Sequence, residues 1–151
     1  MAQRLLLYSR LNKIEFLKRM AIKKILLADD DADDREIFVR VLGQKHNVSL
    51  LNTFENGKEV IEYLETVNTP EQLPNLIILD HNMPKMNGTE TLGRLKSDDR
   101  FSSINVVIYS TYSDNKMRET CRELGAAMVL TKPSSMKEYE ATIDKFLGIV
   151  A

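Results

Sequence analysis

The strongest constraint on the fold is a series of short, unbroken apolar runs. Residues 25–28 (ILLA), 76–79 (LIIL), 106–109 (VVIY) and 128–130 (MVL) show no polar–apolar alternation. Runs of that length without alternation are expected of strands buried on both faces. The stretch VSLLNTF, residues 48–54, is more mixed and reads as an edge strand. Between these runs, helical patterns are expected at about 34–43, 58–66, 89–96, 114–124 and 136–147. Asp33 stands three residues before Glu36, and Ser135 three before Glu138, the spacing of capping boxes. Gly43 and Gly125 sit where helices should stop.

Five β–α units in succession imply an α/β fold, a doubly wound parallel sheet with helices on both faces. Sites in such sheets form at the carboxyl ends of the strands. Asp29 and Asp30 follow the first run, Asp80 the third, Ser110 the fourth and Lys132 the fifth. These residues, far apart in sequence, should meet at one rim. Carboxylates brought together there repel and raise one another's pKa. A hard divalent cation relieves that conflict, and oxygen ligands with room for water suit Mg2+. Metal, ammonium and hydroxyl around a carboxylate can stabilise a transferring phosphoryl group, with the carboxylate as nucleophile.

Composition narrows the alternatives. A chain of 151 residues suffices for one domain with a sizeable core. A net charge of −1 gives no basic footprint for nucleic acid. The lone Cys121 excludes an internal disulfide and suits a reducing cytoplasm. No apolar stretch is long enough to span a bilayer. Residues 1–22 are set apart as an extension from a domain at 23–151. Within it Arg4, Arg10, Lys13, Lys18 and Arg19 oppose only Glu15, and Leu7, Leu11, Ile14 and Leu17 recur at helical spacing. An amphipathic helix for a membrane surface or a partner is one reading. The simpler one is an extension that adds nothing to the fold, since Met20 would itself be a natural start.

The segments ILLADDD, LIILDHNMPKMNG, VVIYST and GAAMVLTKPS, in that order, resemble the receiver domain of two-component response regulators, of the CheY-like single-domain kind. The resemblance runs from Lys23 to the C-terminus. It implies a flavodoxin-like (βα)5 fold with strand order 2-1-3-4-5. It makes Asp80 the acceptor of a phosphoryl group from a histidine kinase or a histidine phosphotransfer protein. Mg2+ would be bound directly by Asp30, Asp80 and the backbone carbonyl of Asn82, with Asp29 acting through water. Lys132 would pair with the phosphoryl group, ahead of a cis peptide to Pro133, and Ser110 would be the switch hydroxyl. Asp33 and Asp34 are left to favour a helix N-terminus, and Asp31 to solvent. The resemblance further implies a cytoplasmic signalling protein rather than an enzyme. Its output would pass through protein contacts of the helices at 114–124 and 136–147, homodimerisation among them, to an unknown downstream target. His46 and His81 are expected to be exposed.

Two positions depart from the receiver pattern. Val129 stands where Tyr or Phe usually reports the switch, and Thr111 replaces a smaller residue. A haloacid-dehalogenase-type phosphatase, with Asp29 and Asp31 as its strand-end pair, lacks a late acidic pair, because Glu138, Glu140 and Asp144 fall in a helical pattern. A calcium-binding EF-hand fails because Asp34 replaces the required Gly and Arg40 the closing Glu. A receiver scaffold that binds without being phosphorylated is the third alternative.

Overall fold

The computed structural model describes residues 2–151, except the side chains of Lys18 and Arg19; Met1 and those two charges of the expected basic helix lie outside the described residues. Strands β1 (Lys23–Ala28), β2 (Val48–Phe54), β3 (Leu76–Asp80), β4 (Asn105–Ser110) and β5 (Met128–Thr131) alternate with helices. The helices are α1 (Ala2–Met20), α2 (Ala32–Gly43), α3 (Gly57–Glu65), α4 (Gly88–Ser97), α5 (Asn115–Glu123) and α6 (Met136–Ile149). The five strands form one parallel sheet in the order β2-β1-β3-β4-β5, the flavodoxin-like topology, with β2 at an edge. A single turn of 3-10 helix, Pro70–Gln72, shapes the long loop before β3.

Strand parity divides the core into two layers. Leu26, Ala28, Ile77, Leu79, Val106, Ile108 and Val129 face α3, α4 and α5, where Val60, Leu64, Leu92, Leu95 and Cys121 pack on them. Ile25, Leu27, Leu76, Ile78, Val107 and Tyr109 face α2 and α6, meeting Phe38, Val41, Leu42, Tyr139, Ile143 and Phe146. Unbroken apolar runs follow directly, because both parities are buried. Register then aligns the strand ends. Ala28 pairs with Leu79, Asp80 with Tyr109, and Ser110 with Thr131, so the residues just beyond lie side by side.

The caps differ in detail from the spacing rules. Asp31, rather than Asp33, caps α2, accepting from the amides of Asp33 and Asp34 at 2.8 and 3.2 Å. Helix α2 therefore starts at Ala32, and Asp31 is exposed but engaged. A reciprocal capping box occurs at Asn87 and Glu90 on α4. Ser135 caps α6, but the Glu138 carboxylate reaches back to the Ser134 amide. Gly125 has φ +102, and the amides of Gly125 and Ala126 bond to Arg122 and Cys121 in a Schellman closure of α5.

Helix α1 forms as its periodicity suggests, yet its apolar residues stay in solvent: Leu7, Leu11, Ile14 and Leu17 are 51–62% exposed. Leu5 and Phe16 lie on the opposite side of that helix, so its apolar character is not confined to one stripe. Removing residues 1–19 should therefore leave a cooperative domain, changing unfolding free energy by less than about 1 kcal/mol, as expected for exposed residues. Urea denaturation of full-length and truncated chains measures this; a loss of several kcal/mol would show that α1 packs on the core.

Candidate functional site

All the polar residues singled out at strand ends come together at the carboxyl rim of β1, β3, β4 and β5. Asp29 follows β1 and is fully buried. Its amide bonds to the Phe54 carbonyl at 3.0 Å, holding it between β1 and β2. One carboxylate oxygen of Asp29 accepts from the Asp31 amide at 2.9 Å; the other accepts from the Tyr109 hydroxyl. Asp80 ends β3 and is 3% exposed. Asp30 is exposed, and carboxylate oxygens of Asp29, Asp30 and Asp80 lie within 4.8 Å of one another.

Lys132 enters this cluster from the residue after β5. Its amide bonds to the Ser110 carbonyl at 2.8 Å, continuing the strand ladder for one residue. Its ammonium lies 2.9 Å from Asp34, 3.1 Å from Asp29 and 3.3 Å from Asp80. It also sits 5.0 Å from the centroid of the Tyr109 ring, a cation–π contact. The peptide from Lys132 to Pro133 is trans, correcting the expected cis bond. Trans is the intrinsically favoured isomer even before proline, and from it the ammonium reaches all three carboxylates.

The electrostatics are those of a crowded, desolvated rim. Burial, then the charge of Asp29, push the Asp80 carboxyl up to about 7, against the opposing pull of Lys132. Burial disfavours the Lys132 charge, but the hydrogen bond to Asp34 and the charges of Asp29 and Asp80 outweigh it and hold the ammonium above its usual range. Burial would likewise raise Asp34, yet hydrogen bonds from Tyr139 and Lys132 bring its carboxyl below the ordinary value. The Lys132 ammonium thus lies within 3.3 Å of three carboxylates, those of Asp29, Asp34 and Asp80, while Asp30 stands beside Asp29 and Asp80.

On the other side of the rim, Ser110 is buried and its hydroxyl donates to the Tyr112 carbonyl at 2.7 Å. The side-chain amide of Asn82 donates to the Ser110 hydroxyl at 3.4 Å. His81, expected to be exposed, is half-buried: one ring nitrogen is 3.2 Å from the side-chain amide oxygen of Asn82 and the other 2.9 Å from the Thr89 hydroxyl. His46 is exposed as expected. Gly88 lets α4 start against this loop. A Cβ there would stand 2.6 Å from the Asp80 carbonyl oxygen, and the Gly88 amide bonds to the His81 carbonyl at 2.9 Å.

Sequence reasoning missed three residues of the cluster: Asp34, Tyr109 and Tyr139. Asp34 lies at the α2 N-terminus, as its sequence position suggests, but its side chain turns to Lys132. A signal for Tyr109 was present. By strand parity it shares the face of Leu27, Ile78 and Leu130, hence of Asp29, Asp80 and Lys132, and a buried phenol needs a polar partner. Val129 has the opposite parity and packs toward α3–α5, away from Lys132.

A parallel five-stranded sheet in the order β2-β1-β3-β4-β5, with an acidic rim and one embedded lysine, defines the class as a flavodoxin-like α/β domain with its site at the strand ends. Residues 25–144 match the family described as the response regulator receiver domain. The chain belongs to that family. It is 34% identical over 113 residues to a protein-glutamate methylesterase/protein-glutamine glutaminase of Bacillus licheniformis, covering 74% of this chain and 29% of the relative. The chain thus spans about three tenths of that protein's length. The structure is similar to the phosphorylated cyanobacterial phytochrome response regulator RcpA, with TM-score 0.71, 28% identity, and coverage of 84% and 95% of the two chains. It is also similar to the Mn2+-bound form of response regulator Rcp1, with TM-score 0.69, 27% identity, and coverage of 82% and 90%. Among the described residues no helix is long and apolar enough to cross a membrane.

The Tyr109–Asp29 contact yields a stability test. Tyr109→Phe keeps the ring against Phe38 and removes one donor to a buried carboxylate, which should cost about 1.5–3 kcal/mol. Chemical denaturation measures the loss; unchanged stability would mean that the hydroxyl does not support Asp29.

Proposed function

We propose that this chain is the phosphoryl-accepting receiver of a two-component phosphorelay, with Asp80 as acceptor. The observation that carries the reading is the position of Asp80, buried at the end of a central strand with Lys132 on one side and the Asp29–Asp30 pair on the other. The donor would be the phosphoimidazole of a histidine kinase or a histidine phosphotransfer protein. An Asp80 carboxylate oxygen attacks phosphorus, and the phosphorus–nitrogen bond to the donor imidazole breaks. The imidazole leaves with the bonding electron pair and is protonated, leaving an acyl phosphate on Asp80.

The donor set fits Mg2+. Three carboxylate oxygens lie within 4.8 Å, and Asp30 opens to solvent, where water can complete an octahedron. Asp30, Asp80 and the Asn82 carbonyl would bind the ion directly, and Asp29 through water. When bound, the ion offsets carboxylate repulsion and stabilises the charge developing on the phosphoryl oxygens. Asp29, its oxygens fixed by Tyr109, Lys132 and the Asp31 amide, keeps the cluster in place. Lys132 supplies a positive charge beside the attacking oxygen. Ser110, turned toward the Tyr112 carbonyl at 2.7 Å, would rotate to a phosphoryl oxygen as the switch.

We assign the chain a binding and signalling role, without turnover, in the cytoplasm; the downstream partner is a protein, and a homodimer is one form that contact can take. The phosphatase alternative makes Asp29 the nucleophile. Both Asp29 oxygens are engaged, one by the Asp31 amide and the other by Tyr109 and Lys132, which favours Asp80.

Incubation with Mg2+ and acetyl phosphate should add one phosphoryl group by intact mass, labile to hydroxylamine. Asp80→Asn should abolish the adduct with the fold retained, because an amide is nearly isosteric but a poor nucleophile. Normal labelling of Asp80→Asn would refute the assignment.

A further inference from the structure

The residues around Lys132 form a closed circuit that leaves the rim on one side only. From the ammonium it runs 2.9 Å to Asp34 on α2, and the second Asp34 oxygen accepts from the Tyr139 hydroxyl on α6. The Tyr139 ring meets Phe38 edge-on, centroids 5.6 Å apart, and Phe38 meets Tyr109 at 5.1 Å. The Tyr109 hydroxyl returns to Asp29, which is 3.1 Å from the same ammonium. Both tyrosine hydroxyls donate to carboxylates, and burial together with those carboxylates keeps the phenols protonated.

We propose that Asp34 and Tyr139 are positioning residues that hold Lys132 while Asp80 is unmodified and carry the change to the α2–α6 face once Asp80 bears a phosphoryl group. This rests on the phosphoryl-acceptor reading given above. An ammonium has three donors, and here it hydrogen-bonds Asp34 and lies 3.1 and 3.3 Å from the carboxyl groups of Asp29 and Asp80. A phosphoryl group on Asp80 presents two negative charges and three oxygens in the same place, and charge-assisted bonds to it are stronger. Lys132 is drawn toward it. Of its three partners, Asp34 is the one free to let go: Asp29 is buried and tied to Tyr109 and the Asp31 amide, whereas the Asp34 side chain is 21% exposed. Deprived of the ammonium, Asp34 turns to solvent, and Tyr139 follows it or loses its acceptor. Tyr139 lies in the first turns of α6, so the displacement is transmitted to that helix.

Parity makes this the direct route. Lys132, Asp29, Asp80 and Tyr109 share the sheet face that packs on α2 and α6, while Val129 faces α5 without a polar group. On this face Lys132 reaches an aromatic hydroxyl only through Asp34, which accepts from Tyr139.

The test compares amide chemical shifts of the full-length chain with Mg2+ alone and with Mg2+ plus saturating beryllofluoride, a non-covalent phosphoryl mimic. In the unmutated chain, residues 106–110 and 136–143 should both shift. Tyr139→Phe, which keeps the ring, should lose the 136–143 shifts and retain those at 106–110. Asp34→Asn should do the same; if that variant folds poorly, Tyr139→Phe decides alone. Shifts at Asp80 and 106–110 without shifts at 136–143, or shifts at 136–143 undiminished in Tyr139→Phe, would overturn this proposal alone. A chain with no Mg2+-dependent response at Asp80 would overturn the phosphoryl-acceptor reading beneath it.

Discussion

The Lys132 ammonium is the interaction on which the rim depends. A parallel sheet delivers its strand ends to one edge, and this sequence ends three of those strands with acidic or basic residues that become buried there. Buried like charges are tolerated only when something of opposite sign is hydrogen-bonded among them. Lys132 meets that need for Asp29, Asp34 and Asp80 at 2.9–3.3 Å. Its single charge is shared among three carboxylates, with Asp30 beside Asp29 and Asp80. Burial first, and the neighbouring Asp29 charge second, raise the Asp80 pKa, and the crowding of carboxylates underlies the affinity proposed for Mg2+.

The two-layer core turns this local balance into a directional one. Adjacent residues of a strand point to opposite layers. Tyr109 therefore supports Asp29 from the α2–α6 side, while its neighbour Ser110 reaches across the rim toward Asn82 and the Tyr112 carbonyl. A change of charge at Asp80 is felt by both layers, but by different side chains. Under the phosphorylation proposed for Asp80, the hydroxyl of Ser110 would read it toward the loop before α5, and the ammonium of Lys132 toward α2 and α6. In a chain with Val129 in place of an aromatic residue, the second reading has the better-connected route.

Much of this was legible in the sequence. Unbroken apolar runs revealed the three buried strands β1, β3 and β4, and the mixed 48–54 stretch was recognisable as an edge strand; the run at 128–130 also forms a strand, but at the other edge, where Met128 and Leu130 are only half-buried. The strand-end rule then brought Asp29, Asp30, Asp80, Ser110 and Lys132 together before any contact was seen. Local competition was harder to read. Asp31, Asp33 and Asp34 are all chemically able to cap α2, and only the backbone path after Asp30 selects Asp31. That choice frees the Asp34 side chain for Lys132. Its partner Tyr139 lies 105 residues away on α6, so no short-range pattern could pair them. Tyr109 shows the intermediate case: parity places it on the same face as Asp29, but its hydroxyl contact depends on how strands β1, β3 and β4 twist past one another.

The central claim is that the nucleophile at this rim is Asp80. Borohydride reduction of the chain after Mg2+ and acetyl phosphate converts an acyl phosphate to the corresponding alcohol, marking the acceptor permanently. Peptide mapping should then find homoserine in place of Asp80 and unmodified aspartate at positions 29 and 30. Homoserine at position 29 or 30, or an unreduced chain throughout, would contradict the account.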